Sequence, residues 1–371
     1  MRQDRPLTIL MLDRAGAQSI WSLMGTIRQA AEARGHVVHT LRWDDGRGAQ
    51  EDRSVTGPRD HVIAVPPRRR LWDTLIQHRR FAAPFVQLLR RLQPDLLHAN
   101  FIVPGGLGMR MARRAGVPRI IVTRHELAGS LSPHLRLWSK FCAPAADHRV
   151  HVSGAVAQSY GCATAPVYRQ GSAPRDLVIP NGIDLTALAQ VEAYPRPTDA
   201  RVIVVAGRMV PVKGQVHALD AFAIAARRDP ALRLELIGDG PDRPKLERRA
   251  QEAGLVQRIE FTGWRPRDET LARMKSAWRV VVPSSHVQEG FGLVLAEAMA
   301  LATPVVASDI AVFREVSAMG RGVALVDCAN SETLSCAMLA EPADVTVRPE
   351  KMDKAVMESA YVSLYDSVGA A

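Results

Sequence analysis

A chain of 371 residues, 47% hydrophobic and 23% charged, has a globular composition and the length of two domains of roughly 150 to 200 residues each. It contains no low-complexity tract, and no run approaches the roughly 18 apolar residues that a membrane span needs. The formal charge of +10 is uneven: residues 1–190 hold 26 Lys and Arg against 14 Asp and Glu, whereas residues 191–371 hold 22 against 24.

The first element is a short apolar core at 7–12 inside MRQDRPLTILMLDR, which reads as a strand and not as a signal peptide. Further β-branched runs follow at 36–41, 96–99, 119–123, 148–152 and 177–179. They resume at 201–206, 233–237, 259–262, 279–282, 304–307 and 322–325. Amphipathic stretches such as 19–34, 215–228 and 243–253 lie between them. Fully apolar strands alternating with helices predict an α/β chain of parallel sheets covered on both faces. The pattern restarts near residue 200 after the Pro-rich Tyr194–Thr198 segment, and Asn181-Gly182 is a turn signal just before it. The expected organisation is a first doubly wound domain over 1–190, a second over 191–345 and a terminal helix over 346–371 that could return to the first domain. Met352, Val356, Ala360, Leu364 and Val368 form an i, i+4 stripe on that helix.

Cys142, Cys162, Cys328 and Cys336 form no CxxC pair, so free thiols in a reducing cytoplasm are expected, without structural zinc. The basic excess gathers in Arg68-Arg69-Arg70, Arg79-Arg80, Arg90-Arg91 and Arg113-Arg114. Such clusters are ordinary solvated faces or favour an anionic partner, either a membrane surface or a phosphorylated acceptor. Nucleic acid fits poorly because few aromatics interleave with the arginines.

Chemistry concentrates in EGFGLVLAEAMALATPVVASD, residues 289–309. Gly290-Phe291-Gly292 follows a strand and opens a helix beginning near Leu293. A helix start bracketed by glycines offers free N–H groups and the positive end of a dipole to an anion. Glu289 falls in the loop and Glu297 inside the helix. Carboxylates beside an anion site suit hydroxyls, because each accepts two hydrogen bonds from a diol. A ligand that runs sugar, phosphate, ribose satisfies all three features. Arg208 and Lys213, in the Gly/Pro-rich loop after strand 201–206, read together as a diphosphate clamp at the carboxyl end of the strands. GlyAspGly at 238–240 lacks the third glycine of a dinucleotide fingerprint, since position 243 is Arg. It reads as a loop glycine pair beside the nucleotide. There is no D-x-D, so no metal or other cofactor is expected.

GRMVPVKG, LIGDGPDRPKLE, PSSHVQEGFGLVLAEAMA and PVVAS together resemble the C-terminal domain of the retaining GT-B glycosyltransferases of the fourth family, whose mark is E-x7-E, here Glu289 and Glu297. RGHVVH, PDLLHAN and IPNGID resemble its N-terminal domain more weakly. The resemblance implies two Rossmann-like domains facing each other across a cleft. It implies that Arg208, Lys213 and the backbone of Gly290, Phe291, Gly292 and Leu293 bind the donor diphosphate. Glu297 would hold the ribose hydroxyls and Glu289 the transferred sugar. His125 would approach the reacting sugar, and Gly16 would let the backbone face the donor phosphate or the acceptor. Three positions depart from the family: Ala15-Gly16 replaces a glycine pair, Ile310-Ala311 replaces another, and Ala99 follows His98 where a second histidine is common.

The expected function is sugar transfer from a nucleoside-diphosphate sugar to a glycan or lipid-linked acceptor in polysaccharide or cell-envelope synthesis. The expected location is cytoplasmic, at the inner face of the membrane. Two other classes remain: a glycoside hydrolase or phosphorylase using Glu289 and Glu297 as acid and base, and a non-catalytic nucleotide-sugar or nucleic-acid binder.

Overall fold

The computed structural model describes residues 5–14, 18–46, 57–67, 73–100, 105–170, 174–197, 201–285 and 289–369. Gly16 and the Arg68–Arg70 cluster lie outside the described residues. The chain divides into two units, residues 1–181 with 355–371, and residues 182–354.

The first unit holds a seven-stranded parallel sheet. Its strands are β1 (Thr8–Arg14), β2 (Val37–Asp44), β3 (Asp60–Ala64), β4 (Leu96–Asn100), β5 (Arg119–Arg124), β6 (His148–His151) and β7 (Asp176–Val178), in the order β3-β2-β1-β4-β5-β6-β7. Ile9, Leu10, Met11 and Leu12 of β1 are all fully buried, so both faces of the strand are covered. Alternation sends Leu10 and Leu12 toward Phe81 and Phe85 of helix Asp73–Leu92. It sends Ile9 and Met11 toward Tyr361 and Leu364 of helix Lys354–Gly369.

The second unit holds six parallel strands. They are β8 (Arg201–Ala206), β9 (Leu232–Ile237), β10 (Ile259–Gly263), β11 (Arg279–Val282), β12 (Val305–Ser308) and β14 (Val323–Val326), in the order β10-β9-β8-β11-β12-β14. The short β13 (Gly320–Arg321) and β15 (Thr346–Val347) pair antiparallel beside it. In both large sheets the strand order reverses beside the unit's first strand, the switch point at which open α/β sheets bind ligands.

Three expectations need correction. The strand β3 is not among the expected strands, although DHVIA holds the apolar run Val62-Ile63-Ala64; it is an edge strand with only Ile63 buried. The division falls after Asn181 and not in the Pro-rich segment, which packs within the second unit: Tyr194 N donates to Ala272 O at 3.1 Å, and Arg273 donates to the Tyr194 hydroxyl at 3.0 Å. At the division the two passages of the chain are bonded to one another, Ile183 N to Met352 O at 2.9 Å and Lys354 N to Ile183 O at 2.8 Å. Finally, the terminal helix groups with the first unit through a face that only partly follows its stripe. Val356 is exposed, while Met357, Tyr361, Leu364 and Tyr365 are buried. The tyrosines decide the rotation. Tyr365 lies 2.7 Å from His98 Nδ1 and Tyr361 lies 3.1 Å from Thr123 Oγ1, so their hydroxyls are satisfied inside the core.

Candidate functional site

The loops after β8, β9 and β11 interlock. Gly207 N donates to Ile237 O at 2.9 Å, Met209 N to Asp239 O at 2.8 Å, and Ser285 N to Val212 O at 2.8 Å. The glycines are there because backbones touch. Gly214 (φ +69°) lies under the Pro283 carbonyl and Gly238 (φ +125°) against the Gly207 carbonyl, so a Cβ at either position would collide. GlyAspGly is therefore a packing device that seats the Arg208 loop. The Gln215 amide further fixes it by donating to Arg208 O at 3.0 Å.

This frame places Lys213 Nζ 2.7 Å from Glu289 Oε2. The expected cation and the expected sugar-binding acid thus meet in one ion pair, with Glu289 buried and Lys213 partly exposed. Arg208 is exposed, and no ion pair holds it among the described residues.

The helix after Gly290-Phe291-Gly292 runs Leu293–Ala300. Phe291 is buried, so only its backbone is available to a ligand. Gly292 (φ +88°) precedes the first turn without a side-chain cap, which leaves N–H groups and dipole unshielded. The helix is apolar all round, with Leu295, Ala296, Ala298 and Met299 buried, so Glu297 is the conspicuous residue. Burial pushes its carboxyl upward, and Arg267 opposes the shift with Nη1 2.6 Å from Oε1.

In the first unit His125 follows β5, with Nε2 2.8 Å from Asn100 Oδ1. Burial lowers its pKa to about 4, so the ring is neutral near pH 7. Sequence reasoning missed Asn100, Arg267 and Asp13. Asp13, near the end of β1, has a buried Oδ2 with no partner, and burial raises its pKa to about 8 despite the Arg14 amide and charge. The only signal for it was an acid closing the apolar run LeuMetLeuAsp. His151, Cys162 and Asp176 also converge within 4.8 Å, but Arg149 already pairs with that carboxylate, so the donor set does not favour a cation.

Two doubly wound parallel sheets with ligand-ready loops at the carboxyl ends of their strands define a class, the GT-B fold. Anabaena HepE, solved in complex with UDP and glucose, matches at TM-score 0.75 and 21% identity over 97% of this chain and 100% of that one. The lipopolysaccharide outer core galactosyltransferase WaaB in its apo form matches at TM-score 0.67 and 16% identity over 98% and 99%. Two family models, Glycosyltransferase Family 4 over residues 23–187 and Glycosyl transferases group 1 over 189–340, cover most of the sequence. The chain belongs to this glycosyltransferase family.

Among curated relatives it is similar to a phosphatidyl-myo-inositol mannosyltransferase of Mycobacterium leprae, 37% identical over 44% of this chain and 43% of that one. It is also similar to a D-inositol 3-phosphate glycosyltransferase of Thermomonospora curvata, 28% identical over 63% and 60%. The chain thus spans about half the length of these two relatives.

Proposed function

We propose that the protein is a retaining glycosyltransferase that moves a sugar from a nucleoside-diphosphate sugar to a lipid-linked or glycan acceptor of the cell envelope. The observation that carries this reading is the Lys213–Glu289 pair at 2.7 Å, seated beside an uncapped helix start and an exposed Arg208. Arg208, Lys213 and the backbone of Gly290, Phe291, Gly292 and Leu293 bind the donor diphosphate. Glu289 accepts hydrogen bonds from the sugar hydroxyls and Glu297 from the ribose. As the glycosidic bond breaks, negative charge builds on the leaving diphosphate and the cations stabilise it. The acceptor hydroxyl attacks from the face that the diphosphate leaves, and a phosphate oxygen takes its proton. Positive charge comes from the protein, so no metal is invoked. His125 and Gly16 belong to the unit assigned to the acceptor, and neutral His125 suits hydrogen bonding to a sugar hydroxyl.

The relatives named for mannosyl transfer to phosphatidylinositol and for transfer to inositol phosphate support a phosphorylated, lipid-linked acceptor. No helix among the described residues is long and apolar enough to cross a membrane. The basic first half of the chain supports peripheral attachment to an anionic cytoplasmic membrane face. A glycosidase would have no use for the phosphate-binding features.

The test is a thermal-shift panel of nucleotide sugars, followed by donor turnover and NMR assignment of the product anomer. Release of sugar without any nucleotide donor, an inverted anomer, or full transfer by Arg208→Ala would each refute the reading.

A further inference from the structure

A second concentration of positive charge lies within the first unit. A cavity of about 850 Å³ opens between helix Pro133–Cys142 and helix Gly154–Ser159. Arg124, Arg136, Lys140, Arg149 and Arg175 line it, and no carboxylate does among the described residues. Arg149 is neutralised by Asp176. None of the other four forms an ion pair with a carboxylate among the described residues. Arg136 donates to the carbonyls of Leu131 and Gly129, both at 2.8 Å, and so is held rigid without losing its charge.

Arg124 points most directly to a ligand. It is 7% exposed, and a guanidinium that deeply buried ordinarily carries a carboxylate. Here its contact is the face of Tyr160, 3.9 Å from the ring centroid, and the nearby Asp176 attracts it only at a distance, being paired with Arg149. Burial pulls its pKa below the usual arginine value, so the cation is held at a cost that an anion would offset. The Tyr160 hydroxyl, in the same cavity, is buried without a hydrogen-bond partner. A buried cation and an idle O–H donor in one cavity call for an anion with several acceptor oxygens. The volume suits a phosphate carrying further atoms and exceeds what a bare ion needs.

The outer side of the cavity indicates what carries that phosphate. Helix Pro133–Cys142 places Arg136 and Lys140 toward the cavity, and one position on from each stand Leu137 and Phe141. Leu137 is 70% and Phe141 52% exposed, two large apolar side chains four apart on one helix face. Phe141 is braced by Arg110, whose guanidinium lies 3.8 Å from the ring centroid. Exposed apolar side chains beside a basic pocket match the boundary between lipid headgroup and acyl chain.

We infer that this cavity binds the phosphate of an anionic phospholipid, with Arg124, Lys140 and Tyr160 on the phosphate oxygens and Leu137 and Phe141 against the acyl chains. The inference rests on the lipid-linked part of the proposed function and gives that part a site. It does not depend on the donor, so the two can fail separately.

The experiment is sedimentation of the full chain with vesicles of phosphatidylcholine, alone or with 30% phosphatidylglycerol (about a third anionic, a level at which basic surface residues are felt). Binding is read without nucleotide sugar, and donor turnover is measured in parallel. Wild type is expected to bind the anionic vesicles only. Lys140→Gln with Arg175→Gln, both exposed positions, should weaken binding by about tenfold or more. Arg90→Gln with Arg91→Gln removes the same charge elsewhere on the unit and should change it less than about threefold. Tyr160→Phe removes only an unpartnered hydroxyl, so it should weaken vesicle binding without lowering the melting temperature. Leu137→Ser with Phe141→Ser should also release the protein. Equal losses for the two charge pairs would reduce the effect to general electrostatics and overturn the site. So would wild type that ignores phosphatidylglycerol while turning over donor, or full displacement by soluble glycerol 3-phosphate, which would assign the cavity to a free phosphate ester.

Discussion

Acidification should destabilise the first unit through His98. The ring is 1% exposed, lying 2.7 Å from the Tyr365 hydroxyl and 2.8 Å from Thr123 Oγ1, with no carboxylate bonded to it among the described residues. Burial, reinforced by His125, lowers its pKa from 6.5 to about 3. The folded state therefore binds fewer protons than the unfolded chain between those two values. Stability is fully present above pH 6.5 and is lost as the pH falls toward 3. The slope is about 1.4 kcal/mol per pH unit, so roughly 1.4 kcal/mol is gone at pH 5.5 and roughly 2.7 kcal/mol at pH 4.5. His151, fully buried and lowered to about 4, adds loss of the same sign. The assay is urea unfolding followed by tryptophan fluorescence from pH 7.5 down to 5, comparing wild type with His98→Gln. The variant starts less stable but lacks one titrating group, so its profile should be shallower by about 1.4 kcal/mol per pH unit below pH 6. Parallel profiles would show that His98 is not held neutral by its surroundings and would refute the reasoning.

Four further outcomes are expected. Gly292→Ala puts a Cβ 2.5 Å from the Phe313 ring at φ +88°, and should cost about 2–4 kcal/mol, read as a lower melting temperature. Lys213→Ala and Glu289→Ala should each lower sugar transfer by about a hundredfold, an electrostatic loss of about 3 kcal/mol in the transition state. A double variant that loses the product of the two factors would mean that the pair seen at 2.7 Å does not act as a unit. Arg267→Ala leaves Glu297 buried without its cation, yet Arg267 is 61% exposed, so solvent screening limits the stability loss to about 1 kcal/mol. Tyr365→Phe strands His98 Nδ1 in the core and should destabilise by about 1–3 kcal/mol in chemical denaturation.

Much of the second unit was legible because its signals are local. Strands 201–206 and 279–282 and helix 215–228 fall on the predicted residues, since apolar period and flanking turns are properties of short windows. The Glu289 and Glu297 pattern was legible for the same reason: an acid inside an all-apolar helix is anomalous wherever the helix packs. Arg267 was not legible, because it looks like any helix-start arginine until folding brings it to Glu297. Nor was the cavity around Arg124, since its cations come from separate elements spread over about fifty residues.

The sequence by itself determined the alternation of strand and helix, the glycine-bracketed helix start and the uneven charge. Each is written in neighbouring residues and needs no partner to be recognised. Only the tertiary structure decided where the chain divides, which face of the last helix is buried, and which acids meet which cations. The Pro-rich segment looked like a linker but packs on the second unit. The terminal helix turned its tyrosines inward because His98 and Thr123, more than two hundred residues earlier, could satisfy their hydroxyls. Such pairings depend on long-range contacts whose energy exists only once the sheet has formed, and no local pattern encodes them.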